Sequence, residues 1–221
     1  MTGVQTCALP IYKKLQIKVG GRDLAEDIAV VRKAFEVKEP AIEIVLDANR
    51  ALTTAEAIRL SQSCRDLDFI LEQPCDSYEE LTKIKENICH PLYLDECATD
   101  ITVVSRSISE GIADGFGMKV TRVGGVSAMR CVIDVCHAHQ KPLSCDDSWG
   151  GDIIAAACTH LGAIVEPRLS RGVWIAAPYI SQPYDSENTV QIKDGWIDVP
   201  SAPGLGVSPD THLFNHTQSF S

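Results

Sequence analysis

Short apolar runs of about five residues recur along this chain, each followed by about a dozen residues of helical pattern. No other feature restricts the fold as much. The runs are "LQIKV" (15–19), "AIEIVL" (41–46), "DFILE" (68–72), "PLYLD" (91–95), "GFGMK" (115–119), "KPLSC" (141–145) and "AIVE" (163–166). Strands of that length alternating with amphipathic helices predict parallel β/α units. Helix starts are marked by Thr53 or Thr54, by Ser77 in a capping box with Glu80, and by Asp100. Seven strands predict an α/β chain, a (β/α) TIM-type barrel incomplete at its N-terminus, where the first strand is missing. A doubly wound sheet is the competitor, but no G-x-G-x-x-G follows any strand. The segment "VQIKDGWIDVPSAPGLGV" (190–207) reads differently, as a hairpin turning at Asp194-Gly195 followed by a Pro/Gly-rich excursion.

The strands end on polar residues: Lys18, Asp47, Glu72, Asp95, Lys119, and Asp146 or Asp147, roughly 23–29 residues apart. In a parallel barrel the carboxyl ends of all strands share one rim, where active sites are built. A single polar strand end is ordinary, because strands end where loops begin. Six in register, in the order K-D-E-D-K-D, predict a site. Carboxylates placed together repel unless a cation sits among them. Asp47, Glu72 and Asp95 offer oxygen-only ligands, the set that suits Mg²⁺. Asn49 and Glu96 are nearby oxygen donors; strand alternation turns Glu96 away from the face of Asp95, which makes it a supporting group.

Thirty acidic against twenty basic residues give a net charge of −10, which argues against a nucleic-acid or anionic-membrane surface. No apolar run approaches the roughly 20 residues of a membrane-spanning helix. The nine cysteines include no C-x-x-C, so they are expected as scattered thiols of a cytoplasmic protein rather than a zinc site. Residues 1–11, "MTGVQTCALPI", lack the layout of a signal peptide and fit nothing that follows; they read as a non-native leader. The expected organisation is leader 1–11, partial barrel 12–188, and hairpin and tail 189–221.

"DAN" (47–49), "EQP" (72–74), "DE" (95–96) and "KVTRVGG" (119–125) together resemble the enolase superfamily, in its muconate-lactonizing-enzyme/mandelate-racemase branch. The resemblance covers roughly residues 12–208. It implies that Asp47, Glu72 and Asp95 are ligands of Mg²⁺ and that Lys18 and Lys119 are the catalytic lysines. It also implies that residues 189–221 return to a capping domain absent from this chain. A K-x-K on the family's second strand is matched by Gln16-Ile17-Lys18, so Gln16 can supply a hydrogen bond where the family has a charge.

The family's reaction begins with loss of the proton α to a carboxylate. A lysine base requires a pKa brought down from the usual value near 10.4, and a second ammonium, a metal and desolvation act in that direction. Lys18 and Lys119 are expected on opposite sides of the barrel mouth, hence on opposite faces of a substrate carbon. "CDDSWGGD" (145–152) resembles enzymes of the family that act on proline derivatives. This implies dehydration of cis-3-hydroxy-L-proline or a similar hydroxy amino acid, with epimerisation of a proline betaine as the alternative. Asp146 or Asp147 would bind the ring ammonium. Trp149 or Trp174 would either lie against that cation or pack at the loop rim. His137 and His139, ending a helical pattern, and Gly124-Gly125, a tight turn, are read as structural. The implied partner is a small amino-acid-derived carboxylate, in a homo-oligomer when full length. Two rival readings stand beside this one: a non-catalytic fragment, and a metal-dependent aldolase of another barrel family.

Overall fold

The computed structural model describes residues 13–214. The chain forms two compact units that divide between Cys97 and Ala98; the expected leader lies outside the described residues.

The first unit contains β1 (Lys14–Lys18), α1 (Leu24–Val37), β2 (Glu43–Asp47), α2 (Thr54–Ser63), β3 (Phe69–Glu72), α3 (Tyr78–Ile84) and β4 (Leu92–Leu94). The strands pair in sequence order, all parallel, β1 with β2, β2 with β3 and β3 with β4. Alternation sorts their side chains. Leu46, Leu71, Leu92 and Leu94 are fully buried on the helix side, while Val45, Ile70 and Tyr93 form a small separate cluster on the other face. Thr53 and Ser77 each close a complete capping box, with Glu56 and Glu80. Asp100 caps the helix that follows by accepting from the amides of Thr102 and Val103.

That helix, α4 (Ile101–Ser109), opens the second unit. It continues with β5 (Gly115–Lys119), α5 (Val126–Ala138), β6 (Leu143–Asp146), α6 (Gly151–Ala163) and β7 (Ser170–Trp174), then the pair β8 (Ile192–Lys193) and β9 (Trp196–Ile197). β5, β6 and β7 are again parallel neighbours. β8 and β9 form the expected antiparallel hairpin, with Asp194 and Gly195 at φ 50° and 80°. Its inner residues Ile192 and Ile197, with Leu205 and Val207 further on, pack against Ala155, Ala156 and Ile175 of the α6–β7 region. Val120 to Gly125 form the expected tight turn, with Gly124 and Gly125 at φ 97° and 111°. His137 accepts the Glu166 amide at Nε2, a structural role as read.

One strand is misplaced by the sequence reading. "AIVE" (163–166) is no strand: α6 runs through Ala163 and closes in turns over Val165. β7 lies seven residues later, as "SRGVW". Its sequence is apolar only at Val173 and Trp174, so it has no apolar run to betray it, whereas Val165 is apolar because it seals the end of a helix.

The eight described cysteines are all free thiols. Burial pushes Cys75, Cys136 and Cys145 up to about 12, which keeps them protonated and inert. Among the described residues no helix is long and apolar enough to cross a membrane.

Candidate active site

In the first unit, strand register lines up the polar ends. Lys18 is the register partner of Asp47, Asp47 of Glu72, and Glu72 of Tyr93. Register partners on parallel neighbours share a face, so Lys18, Asp47 and Glu72 form one row. Asp95 lies two residues past Tyr93, just beyond β4. Asp47 and Asp95 are each 2% exposed and Glu72 6%. Three carboxylates are thus almost removed from water, which demands compensation by partners.

The Lys18 ammonium is paired with Asp47 and also donates to Asn49 Oδ1 at 2.7 Å. Asn49 in turn donates to Glu96 Oε1 at 3.1 Å, and its amide donates to Asp47 Oδ1 at 2.9 Å. Gln16 donates to Glu72 Oε2 at 3.1 Å, the hydrogen-bonding role left to it once its charge is absent. Glu96 joins the cluster through Asn49 instead of pointing away, because β4 ends at Leu94 and strand alternation stops there. Asn49 and Arg50 stand at φ 43° and 72°, and Gln73 at φ 36°. Left-handed backbone at non-glycine residues is held only where surroundings over-determine it.

The backbone under Lys18 is braced separately. Asp27, fully buried, accepts from the Gly20 amide at 2.6 Å and from Arg22 Nε at 2.9 Å, while Arg22 donates to the Lys18 carbonyl at 2.8 Å. Gly20 has φ 87°, and a Cβ there would stand 2.8 Å from Ala51 Cβ. Neither Asp27 nor Arg22 sits at a strand end, so the sequence reading passed over both.

As they stand, no three His, Cys, Asp or Glu side chains among the described residues converge tightly enough to hold a metal ion; the Lys18 ammonium engages Asp47 instead. The donor set itself is oxygen-only, buried and carried on neighbouring strand ends. Glu96 Oε2 beside it is a buried oxygen that receives no hydrogen bond. That chemistry fits a hard divalent cation.

In the second unit, Lys119 is the register partner of Asp146, and Asp146 of Trp174, so these three share a face. The adjacent aspartates divide their work. Asp146 accepts from Ser144 Oγ at 2.9 Å. Asp147 is 1% exposed and accepts from the Gly150 amide at 3.2 Å and the Ala176 amide at 3.0 Å. Asp147 is therefore a brace between two loops and is not disposed to bind a substrate ammonium. The turn it closes displays Trp149 at φ 66°. Trp149, Trp174 and Tyr179 form an exposed aromatic cluster, with ring centroids 5.6–6.5 Å apart. Thr121 and Ser148 join the loops after β5 and β6 at 2.8 Å. Tyr179 was missed because it follows β7, the misplaced strand.

Parallel β/α units with basic and acidic side chains at the carboxyl ends of their strands define the class: a (β/α)-barrel domain. The profile of the family described as enolase C-terminal domain-like matches residues 4–213. The chain belongs to that family, within the enolase superfamily. It is 32% identical over 205 residues to a cis-3-hydroxy-L-proline dehydratase of Roseibium aggregatum, covering 90% of this chain and 53% of that protein. It is 26% identical to an N-succinylamino acid racemase of Amycolatopsis sp, covering 92% and 55%. A mandelate racemase/muconate lactonizing enzyme structure from Roseovarius nubinhibens superposes with a TM-score of 0.86 at 33% identity, over 91% of this chain and 54% of that one. An enolase-superfamily structure from the same organism, complexed with magnesium, superposes with a TM-score of 0.88 at 27% identity, over 93% and 56%. The chain spans about half the length of the curated relatives it matches. The fold is the expected incomplete TIM-type barrel of the muconate-lactonizing-enzyme/mandelate-racemase branch.

Proposed function

We propose that the protein removes the proton α to the carboxylate of a small amino-acid-derived substrate and dehydrates it, with cis-3-hydroxy-L-proline as the substrate favoured. The observation that carries the reading is the row Lys18–Asp47–Glu72, an exposed ammonium beside two buried carboxylates, with its amide supports Gln16 and Asn49. The 32% identity to a protein named for this dehydration supports the substrate.

Asp47, Glu72 and Asp95 would hold Mg²⁺, as suits their all-oxygen donor set. A bound Mg²⁺ would supply electrostatic stabilisation of the charge that develops on the substrate carboxylate. Lys18, freed from its pairing with Asp47 and having first released a proton to solvent, accepts the α-proton as the neutral amine. Lys119 starts protonated and donates to the departing C3 hydroxyl, releasing water and leaving a carbon–carbon double bond that tautomerises to a pyrroline carboxylate. In cis-3-hydroxyproline the hydroxyl lies on the face opposite the α-hydrogen, so one lysine cannot serve both ends and two are required. Asp146, which shares a face with Lys119, takes the ring ammonium.

The aromatic cluster of Trp149, Trp174 and Tyr179 favours one second reading, epimerisation of a proline betaine, because exposed aromatic faces bind quaternary ammonium groups. In that reaction Lys119 protonates carbon. The protein is to be supplied with Mg²⁺ and each substrate in turn, and pyrroline trapped with o-aminobenzaldehyde. Pyrroline formation that is lost in K18A and K119A is expected. Inversion at the α-carbon with the hydroxyl retained overturns the dehydratase in favour of the epimerase.

A further inference from the structure

Gln73 follows Glu72 directly and is fully buried. Its side-chain oxygen accepts from the Asp95 amide at 3.0 Å and the Cys97 amide at 3.1 Å. Its side-chain nitrogen donates to the Cys75 carbonyl at 2.9 Å and to Cys97 Sγ at 3.0 Å. A primary amide has two acceptor positions and two N–H groups, so this one is fully used. The network also fixes its orientation, since the flipped amide would set N–H against two backbone N–H groups. The Gln73 backbone extends the connection: its amide donates to the Tyr93 carbonyl at 2.9 Å, and its carbonyl accepts from the Arg50 amide at 2.8 Å.

We propose that Gln73 is the positioning residue of the carboxylate set. Its side chain ties the strand end that carries Glu72 to the segment that carries Asp95, and its carbonyl ties the same end to the segment that follows Asp47. Asp95 lies one residue past the end of β4, and the Gln73 oxygen accepts its backbone amide there. The left-handed φ of 36° turns the side chain from its strand toward that segment. Glutamate would not serve, because it cannot donate to the Cys75 carbonyl and would bury a further negative charge beside Glu72 and Asp95. Asparagine is one methylene short. This role rests on the reading of Asp47, Glu72 and Asp95 as cation ligands, whereas the clamp itself does not.

Two measurements separate the clamp from its consequence. In the wild-type chain the Asp95 and Cys97 amides should exchange slowly with D₂O. Exchange as fast as unprotected loop amides overturns the proposal without any variant. In Q73L those two amides should exchange about tenfold faster, while the Leu71 amide, bonded to the Pro91 carbonyl, is unaffected. Mn²⁺ titration followed by electron paramagnetic resonance reads the consequence. The Kd should rise about 10- to 100-fold in Q73L, the range for groups that orient metal ligands. A wild type that binds Mn²⁺ and a Q73L that binds it equally well overturn the positioning role alone. A wild type that does not bind Mn²⁺ overturns the metal reading, and the positioning role with it. Should Q73L fail to fold, Q73N takes its place in the same titration with the same outcomes.

Discussion

Asp146 and Asp147 are chemically identical neighbours with opposite fates. Asp147 loses nearly all its solvent and gains two backbone N–H groups from separate loops. D147A leaves both donors without their acceptor, and should cost roughly 2–4 kcal/mol in urea unfolding, as expected for two bonds to a charged acceptor. An unchanged urea midpoint would show that these loops hold without it. His90 is a second residue whose surroundings decide its state. Its ring stacks on Phe69 at 3.6 Å, its Nε2 lies 3.0 Å from the Leu67 carbonyl, and its Nδ1 lies 2.7 Å from Ser61 Oγ. If Nε2 carries the proton, Ser61 donates to Nδ1 and every group is satisfied by a neutral ring. Burial lowers the His90 pKa from its ordinary 6.5. The unfolded chain then binds the proton more readily than the folded one. Stability from this residue is complete above about pH 6.5 and declines as pH falls toward the folded value. Urea midpoints between pH 7.5 and 5 should fall more steeply for wild type than for H90Q, and equal slopes would remove His90 as the titrating group.

At the scale of elements, helix starts and sheet register follow local rules, and close approaches between elements do not. The Thr53–Glu56 capping box satisfies donors that α2 leaves open, so T53A should lower stability by about 1 kcal/mol. α6 meets β7 at Gly162, where a Cβ would stand 2.1 Å from Val173 Cγ2. G162A should therefore destabilise by about 1–3 kcal/mol, and V173A should recover part of that loss in the double variant. Additive effects would mean that the contact is not what glycine serves. The segment after β7 is held by two buried aspartates. Asp152, near the start of α6, accepts from the amides of Tyr184 and Asp185 and from Thr189 Oγ1. Asp185 accepts from the amides of Ser208, Asn188 and Glu187, and these bonds lower its pKa to about 2. Its contribution is present above the ordinary 3.8 and is lost as pH falls through about 2. Acid should release residues 184–210 at a higher pH in D152N, which loses the second anchor, as read by proteolysis across that segment.

For the molecule as a whole, the carboxylate set predicts linkage between metal and stability. A cation that binds only the folded chain raises the melting temperature by mass action. Mg²⁺ should therefore raise Tm, EDTA should reverse the rise, and D47N should abolish it. A Tm indifferent to Mg²⁺ would count against the site. The family assignment and the fold rest on elements that continue across nearly the entire chain, whereas substrate choice rests on a few side chains after β6 and β7.

Much of this architecture is legible in the sequence because it is local. Alternation within five residues marks β5 at Gly115–Lys119, capping residues mark α2 and α3, and Asp194-Gly195 marks the hairpin. The register of Lys18, Asp47 and Glu72 was readable too, since parallel strands that end in step carry their last residues to one row. Tertiary structure alone decided the rest. It separated Asp146 from Asp147, drew Glu96 to Asn49, placed β7 beyond an apolar helix end, and linked Asp152 to Thr189 across 37 positions. It also spent the whole hydrogen-bonding capacity of Gln73 on segments up to 24 residues away. A buried polar group takes whichever partners the packed chain delivers. That delivery depends on where distant loops come to rest, which no local pattern encodes.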